Sequence, residues 1–180
     1  MSGLPIDIVD TGAGSLYGLS NGSVALARPN WAQGATPSTA MDNIPEGYFF
    51  NPFAFVRSTV PAGQMIPSSN GEAPAGATGT DIGNVGRNVL RGPSQTNVDF
   101  SVLKRFPFGE LRNIEFRAEF FNLFNHVNFD NPISNLNAVP SSSFDPNTGK
   151  IINSDAGNFG RIIATSNNPR LIQFAVKLNF

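Results

Sequence analysis

Cysteine is missing altogether from the 180 residues, which excludes disulfides and thiolate metal sites. Histidine is nearly as scarce. His126 stands alone, so no pair of imidazoles can hold a metal and no histidine relay has a second member. Charge is sparse as well: charged residues make up 14% of the chain, against about 25% in an average soluble domain. The net charge of −1 provides no field that would gather nucleic acid. Nowhere do about 18 apolar residues run together, so no transmembrane helix is expected. Met1-Ser2-Gly3-Leu4-Pro5 lacks the basic and apolar regions of a secretory signal.

What the chain has in quantity is phenylalanine, glycine and proline, at 16, 18 and 14 residues. With so little charge, that mixture points to β-structure carrying long loops. Composition shifts near residue 95. Residues 1–94 are rich in Gly, Pro, Ala, Ser, Thr and Asn, and Pro and Gly interrupt any regular element. At most one strand is expected there, over about residues 2–9.

From residue 95 to 180 three segments alternate, over about 97–106, 112–124 and 170–180. Val98, Phe100, Val102 and Phe106 share one parity, and Asn97, Asp99, Ser101 and Arg105 the other. Ile114, Phe116, Ala118 and Phe120 oppose Glu115, Arg117 and Glu119, and Ile172, Phe174, Val176, Leu178 and Phe180 oppose Gln173, Lys177 and Asn179. Strand side chains alternate with period two, so each segment has an apolar and a polar face. A helix would scatter Glu115, Arg117 and Glu119 around its axis.

Each segment is close to the roughly 9–11 residues that a tilted membrane-crossing strand needs. The connections are unequal: Pro107 to Asn113 is a short turn, whereas 125–169 is a long polar loop. Short turns on one side and long loops on the other characterise outer-membrane barrels. Phe106-Pro107-Phe108 would set aromatics at the short-turn end. A symmetrical turn matches Phe106 with Ile114 and sets Arg105 opposite Glu115.

An internal repeat supports the same topology. Gly83-Asn84-Val85-Gly86-Arg87 returns as Gly157-Asn158-Phe159-Gly160-Arg161, an offset of 74 that also carries Phe100, Val102 and Phe106 onto Phe174, Val176 and Phe180. Two equivalent strands separated by one other are what an antiparallel meander requires. The expected fold is therefore all-β: an antiparallel meander forming the terminal strands of a transmembrane β-barrel, with long loops. Its lumen would face Asp99, Arg105, Glu115, Arg117, Glu119 and Lys177. A soluble secreted β-rich binding or structural module is the rival reading, since a half-apolar strand also suits a sandwich.

Enzymatic constellations are not found, and no cofactor, metal or nucleic-acid partner is expected. Glu115 and Glu119 lie four residues apart on one strand, about 13 Å, beyond the roughly 5–9.5 Å of paired glycosidase carboxylates. With Arg117 between them they read as a charge ladder. Gly83 to Pro93 lacks the Gly-Lys-Ser/Thr of a phosphate loop. Asp145-Pro146-Asn147-Thr148-Gly149-Lys150 lacks the alternating acids of a calcium loop and reads as a turn. The Tyr48 to Phe55 aromatic cluster is expected to pack in a core or girdle, and His126 to sit where a strand meets a loop.

The run from Gly83 through Arg91-Gly92-Pro93, then Asn97-Val98-Asp99-Phe100-Ser101 and Lys104-Arg105-Phe106, resembles the end of TonB-dependent receptors. It is most similar to the Oar-like receptors that carry a carboxypeptidase-regulatory-like domain. Phe116 through His126 resembles that family's penultimate strand, and Phe159-Gly160-Arg161-Ile162 with Pro169 to Lys177 its final one. Ser2-Gly3-Leu4-Pro5-Ile6 resembles the end of an earlier strand, and Asn51-Pro52-Phe53-Ala54-Phe55 a loop motif. The resemblance implies outer-membrane localisation and energy-coupled import or binding of a ligand by a complete 22-stranded parent. It implies contact with outer-membrane lipid and with the rest of the receptor barrel. Contact with TonB would run through N-terminal parts absent from this chain. The terminal strand, with Phe174, Val176, Leu178 and Phe180, would carry the signal read by the barrel-assembly machinery. A barrel sequence with no signal and too few strands to close is expected to begin partway through its parent.

Overall fold

In the computed structural model, residues 3–11, 28–58, 83–109 and 112–180 are described. They contain seven β-strands and short 3-10 turns, with no α-helix among the described residues. The strands are β1 (Pro5–Ile6), β2 (Asn30–Trp31), β3 (Phe55–Val56), β4 (Leu90–Arg91), β5 (Phe100–Pro107), β6 (Asn113–Phe121) and β7 (Leu171–Asn179). They belong to two units. One comprises Met1–Gly3, Pro93–Asp130 and Ala164–Phe180, and the other Leu4–Gly92 and Asn131–Ile163.

The first unit is the three-stranded antiparallel sheet β5-β6-β7. Alternation of apolar and polar residues fixes its register, because a one-residue slip would exchange the faces. Phe106 pairs with Ile114 and Arg105 with Glu115, the pairing that a symmetrical turn implies. Farther across, Ile114 pairs with Leu178 and Glu115 with Lys177. Gly109 holds φ at +86° in the β5–β6 turn, a backbone state open to glycine. β6 and β7 lie within the expected segments 112–124 and 170–180, whereas β5 starts three residues inside 97–106 and runs one residue past it, to Pro107.

Asparagine side chains finish these strands where the ladder stops. Asn122, at φ +49°, follows β6. Its N–H donates to Asp99 Oδ1 (2.9 Å) and its Nδ2 to the carbonyls of His126 and Asn168, while its Oδ1 accepts from the His126 N–H. Asn128 copies a strand partner, accepting from the Thr96 N–H at 2.8 Å and donating to the Thr96 carbonyl at 2.9 Å. Asn167 accepts from the Asn128 N–H and donates to the His126 carbonyl. A buried backbone group without a partner costs free energy comparable to a lost hydrogen bond, and these amides supply the partners.

The second unit differs from the sequence expectation. Residues 1–94 were expected to be loop with at most one strand over 2–9, and 125–169 to be one long loop. Instead, residues from both segments share a hydrophobic core that includes Ile8, Phe50, Phe55, Val85, Leu136 and Phe159. Phe50, Phe55 and Phe159 meet edge-to-face with centroids 5.2–5.7 Å apart, and Trp31 stacks on Phe55 at 4.9 Å. Four two-residue strands pair as β1 with β4 and β2 with β3. Of the strand expected over 2–9, the described residues contain only Pro5–Ile6 and a bridge from Val9 to Asn135. Two residues are too few for a period-two signal, and the core is assembled from apolar residues scattered far apart in sequence.

Both copies of the repeat serve this core. Val85 and Phe159, the central residues, are buried. A Cβ at Gly83 would overlap the Pro29 carbonyl, and one at Gly157 the Ala138 carbonyl. Gly157 also holds φ at +56°. Gly157→Ala is therefore expected to cost this unit about 1–3 kcal/mol. Faster thermolysin cleavage within 131–163 would register the loss, and wild-type protection would contradict it.

Candidate functional site

The chemistry of the sheet is divided between its two faces. On one, Phe100, Val102 and Phe106 of β5, Ile114, Phe116, Ala118 and Phe120 of β6, and Ile172, Phe174, Val176 and Leu178 of β7 stand together. Most are exposed, Phe174 to 66% and Val176 to 71%. Phe116 stacks with Phe174 and Phe100 tilts against Phe120, both at 6.2 Å. Phe180 continues the alternation one residue beyond β7 and is 92% exposed. An apolar face of this extent is unusual on a soluble protein.

The opposite face carries an ion-pair ladder. Arg105 Nε donates to Glu115 Oε2 at 2.8 Å. Arg117 spans both glutamates of its strand, 3.5 Å from Glu115 and 3.6 Å from Glu119. Lys177 is in register with Glu115. Five of the six polar residues singled out from the sequence thus share one surface as strand neighbours. Asp99, the sixth, lies just before β5 and caps the end of β6, accepting from the Asn122 N–H and from Asn97 Nδ2 at 3.0 Å.

At the end of the sheet from which the long connection leaves, an open groove of about 430 Å³ is lined by residues including Asn97, Asp99, Phe121, Asn122, Asn168 and Gln173. Asn122 spends all its side-chain polar atoms on backbone, so the groove is built more to close strand ends than to grip a ligand. Sequence reasoning passed over Asn122, Asn128 and Asn167. The asparagines repeated through Phe121-Asn122-Leu123-Phe124-Asn125-His126-Val127-Asn128 were the available signal.

Among the described residues no three His, Asp or Glu side chains converge as a metal site. Asp145 accepts from the N–H groups of Asn147 (2.8 Å) and Thr148 (3.2 Å), closing a turn. Those bonds hold its carboxyl below the usual carboxylate range. His126 is exposed, at the boundary between strand and loop. The Tyr48–Phe55 cluster supplies two of the core phenylalanines described above.

Asp7 lies in the second unit. Its carboxylate binds Arg28 through two bonds of 3.1 and 3.0 Å and accepts the Asn88 N–H at 2.9 Å. Arg28 chiefly holds its pKa below the ordinary value, desolvation opposes this, and the Asn88 N–H assists. A carboxylate with a depressed folded pKa stabilises fully above its unfolded pKa, near 3.8. That contribution is lost as pH falls through the lower folded value. Hydrogen exchange at the Asn88 amide should therefore accelerate as pH drops below about 4, after correction for intrinsic rates. Asp7→Asn should weaken that protection at neutral pH and flatten its fall in acid; an unchanged acid profile would contradict the assignment.

Repeat and register differ in an informative way. The sequence repeat equates Phe100 with Phe174, 74 residues on, whereas the ladder sets Phe100 across Phe120 from Ile172. If repeated residues occupy equal depth, the sheet is staggered by two residues over two strands. That is about 6.6 Å along the strand over about 9.6 Å across, a tilt near 35°. Closed barrels tilt their strands by roughly 35–45°.

Antiparallel strands, an exposed apolar face, an ion-paired polar face and a short turn at one end define the class: membrane β-barrels. A family model described as an outer membrane beta barrel domain matches residues 1–173, and the chain belongs to that family. It is an outer-membrane β-barrel protein, which sets aside the soluble secreted module. Neither a curated protein nor a solved structure matches the chain.

Proposed function

We propose that this chain forms the terminal strands of a TonB-dependent receptor barrel, without enzymatic activity, that imports or binds a ligand in the complete parent protein. The observation that carries the reading is the division of one antiparallel sheet into an exposed apolar face and an ion-paired face. The apolar face meets outer-membrane lipid. Arg105, Glu115, Arg117, Glu119 and Lys177 line a hydrated lumen, where paired charges suit water as apolar side chains would not. Three strands cannot close, and unpaired backbone in lipid costs several kcal/mol per group, so the free edges of β5 and β7 take strands from the rest of the barrel. Phe174, Val176, Leu178 and Phe180 present the ridge that the assembly machinery engages. The Oar-like resemblance of residues 83–180 supports a receptor over a passive pore.

The test is site-specific photo-crosslinking in cells making the complete parent polypeptide, with TonB present and energised. Crosslinks between TonB and the parent's periplasmic parts are expected. A folded barrel in the outer membrane that never contacts TonB would overturn the receptor reading.

A further inference from the structure

One cation interrupts the apolar face. Lys104 shares its parity with Phe100, Val102 and Phe106, pairs in register with Phe116, and has Val176 beyond it. The repeat sets Leu178 at its counterpart, so an apolar side chain is what this position otherwise carries. Lys104 is exposed, and none of the ion pairs among the described residues includes it. A lysine facing hydrocarbon is disfavoured at the membrane midplane but costs little near an interface. Its stem can lie along apolar surface while the ammonium reaches the headgroups.

The geometry gives that reach a direction. Lys104 Nζ lies 5.8 Å from the ring centroid of Phe106, so the ammonium leans toward the short-turn end. Phe106 and Phe108 are both exposed there, where aromatic side chains suit the lipid–water boundary. From Lys104 to Phe106 is about 6.6 Å along the strand, within the span of a lysine side chain. An unpaired ammonium brought to that boundary by an apolar strand meets one abundant complementary group, the phosphate of a phospholipid.

We propose that Lys104 binds a phospholipid phosphate at the short-turn edge of the barrel, preferring anionic headgroups and fixing the depth of the β5–β6 hairpin. The inference rests on the lipid-facing reading of the apolar face.

These 180 residues have no cysteine, so with any cysteine elsewhere in the complete protein replaced by serine, a fluorophore on Phe116→Cys reports locally on lipid beside Lys104. The complete protein, in phosphatidylcholine bilayers, is titrated with doxyl-labelled phosphatidylglycerol or doxyl-labelled phosphatidylcholine. Quenching is expected to favour the anionic lipid by about fivefold, the attraction one lysine near a membrane surface supplies. Lys104→Gln should bring the preference near one, Lys104→Arg should keep most of it, and free inorganic phosphate should not displace the lipid. A preference unchanged in Lys104→Gln, or abolished by free phosphate, would overturn the proposal while leaving the lipid-facing reading intact. No quenching by either lipid would overturn the lipid-facing reading itself. A second set carrying the fluorophore on Val102→Cys, on the strand of Lys104, serves if the change at Phe116 disturbs folding.

Discussion

Arg57→Ala is expected to destabilise the unit formed by Leu4–Gly92 and Asn131–Ile163 by about 3–5 kcal/mol. Arg57 grips Asp10 through two bonds, Nε to Oδ2 and NH2 to Oδ1, each 2.9 Å. The Asp10 side chain has 0% exposure and that of Arg57 9%. The guanidinium also lies over the Phe144 ring, 4.1 Å from its centroid, and the Arg57 N–H donates to the Gly149 carbonyl at 2.9 Å. Removing the side chain takes both guanidinium bonds and their charge from a buried carboxylate, and the penalty comes from that lost compensation in a buried site. Arg57→Lys keeps the charge but loses the planar fork, so a smaller loss is expected. Hydrogen exchange read peptide by peptide over 28–58 and 131–163 measures both, because local opening reports local stability. Wild-type protection in Arg57→Ala would show that the pair does not hold this unit together.

The second large effect separates two neighbours on β7. Phe174 stands on the apolar face against Phe116, and Gln173 on the polar face opposite Glu119. Phe174→Arg puts a cation into lipid near mid-strand, at a cost of about 2–4 kcal/mol. Gln173→Arg puts the same cation across from a carboxylate on the hydrated side, where a change within about 0.5 kcal/mol is expected. Urea unfolding of the protein in lipid bilayers reads the difference, with heat-modifiable gel mobility as a check on the folded barrel. Equal costs at both positions would contradict the assignment of the faces.

The sheet was legible in the sequence because its signal is local and redundant. In β7, Ile172, Phe174, Val176 and Leu178 hold one parity without interruption and Gln173, Lys177 and Asn179 mark the other, and the pairing of Arg105 with Glu115 follows from the tight turn between them. The polar ladder was legible for the same reason, since Glu115, Arg117 and Glu119 need only parity to share a surface. The second unit was not. Phe50 and Phe159 meet at 5.2 Å across more than a hundred residues of chain, and neither sits in a strand that would announce it. The Arg57–Asp10 pair joins residues equally invisible to periodicity. Asparagines around Asn122 are read by default as loop residues, and only the hydrogen bonds show them completing strand ends. Lys104 belongs to a Lys-Arg-Phe run in the sequence, and its parity along β5 places it on the apolar face.

Nitroxide scanning along β7, from Ile172 to Leu178 in the complete protein in bilayers, tests the central claim most directly. If the sheet is barrel wall with its apolar face in lipid, oxygen accessibility peaks at 172, 174, 176 and 178. Accessibility to a water-soluble nickel chelate then peaks at 173, 175 and 177, in opposite phase. Loss of the period-two alternation, or apolar positions shielded from both reagents, would contradict it.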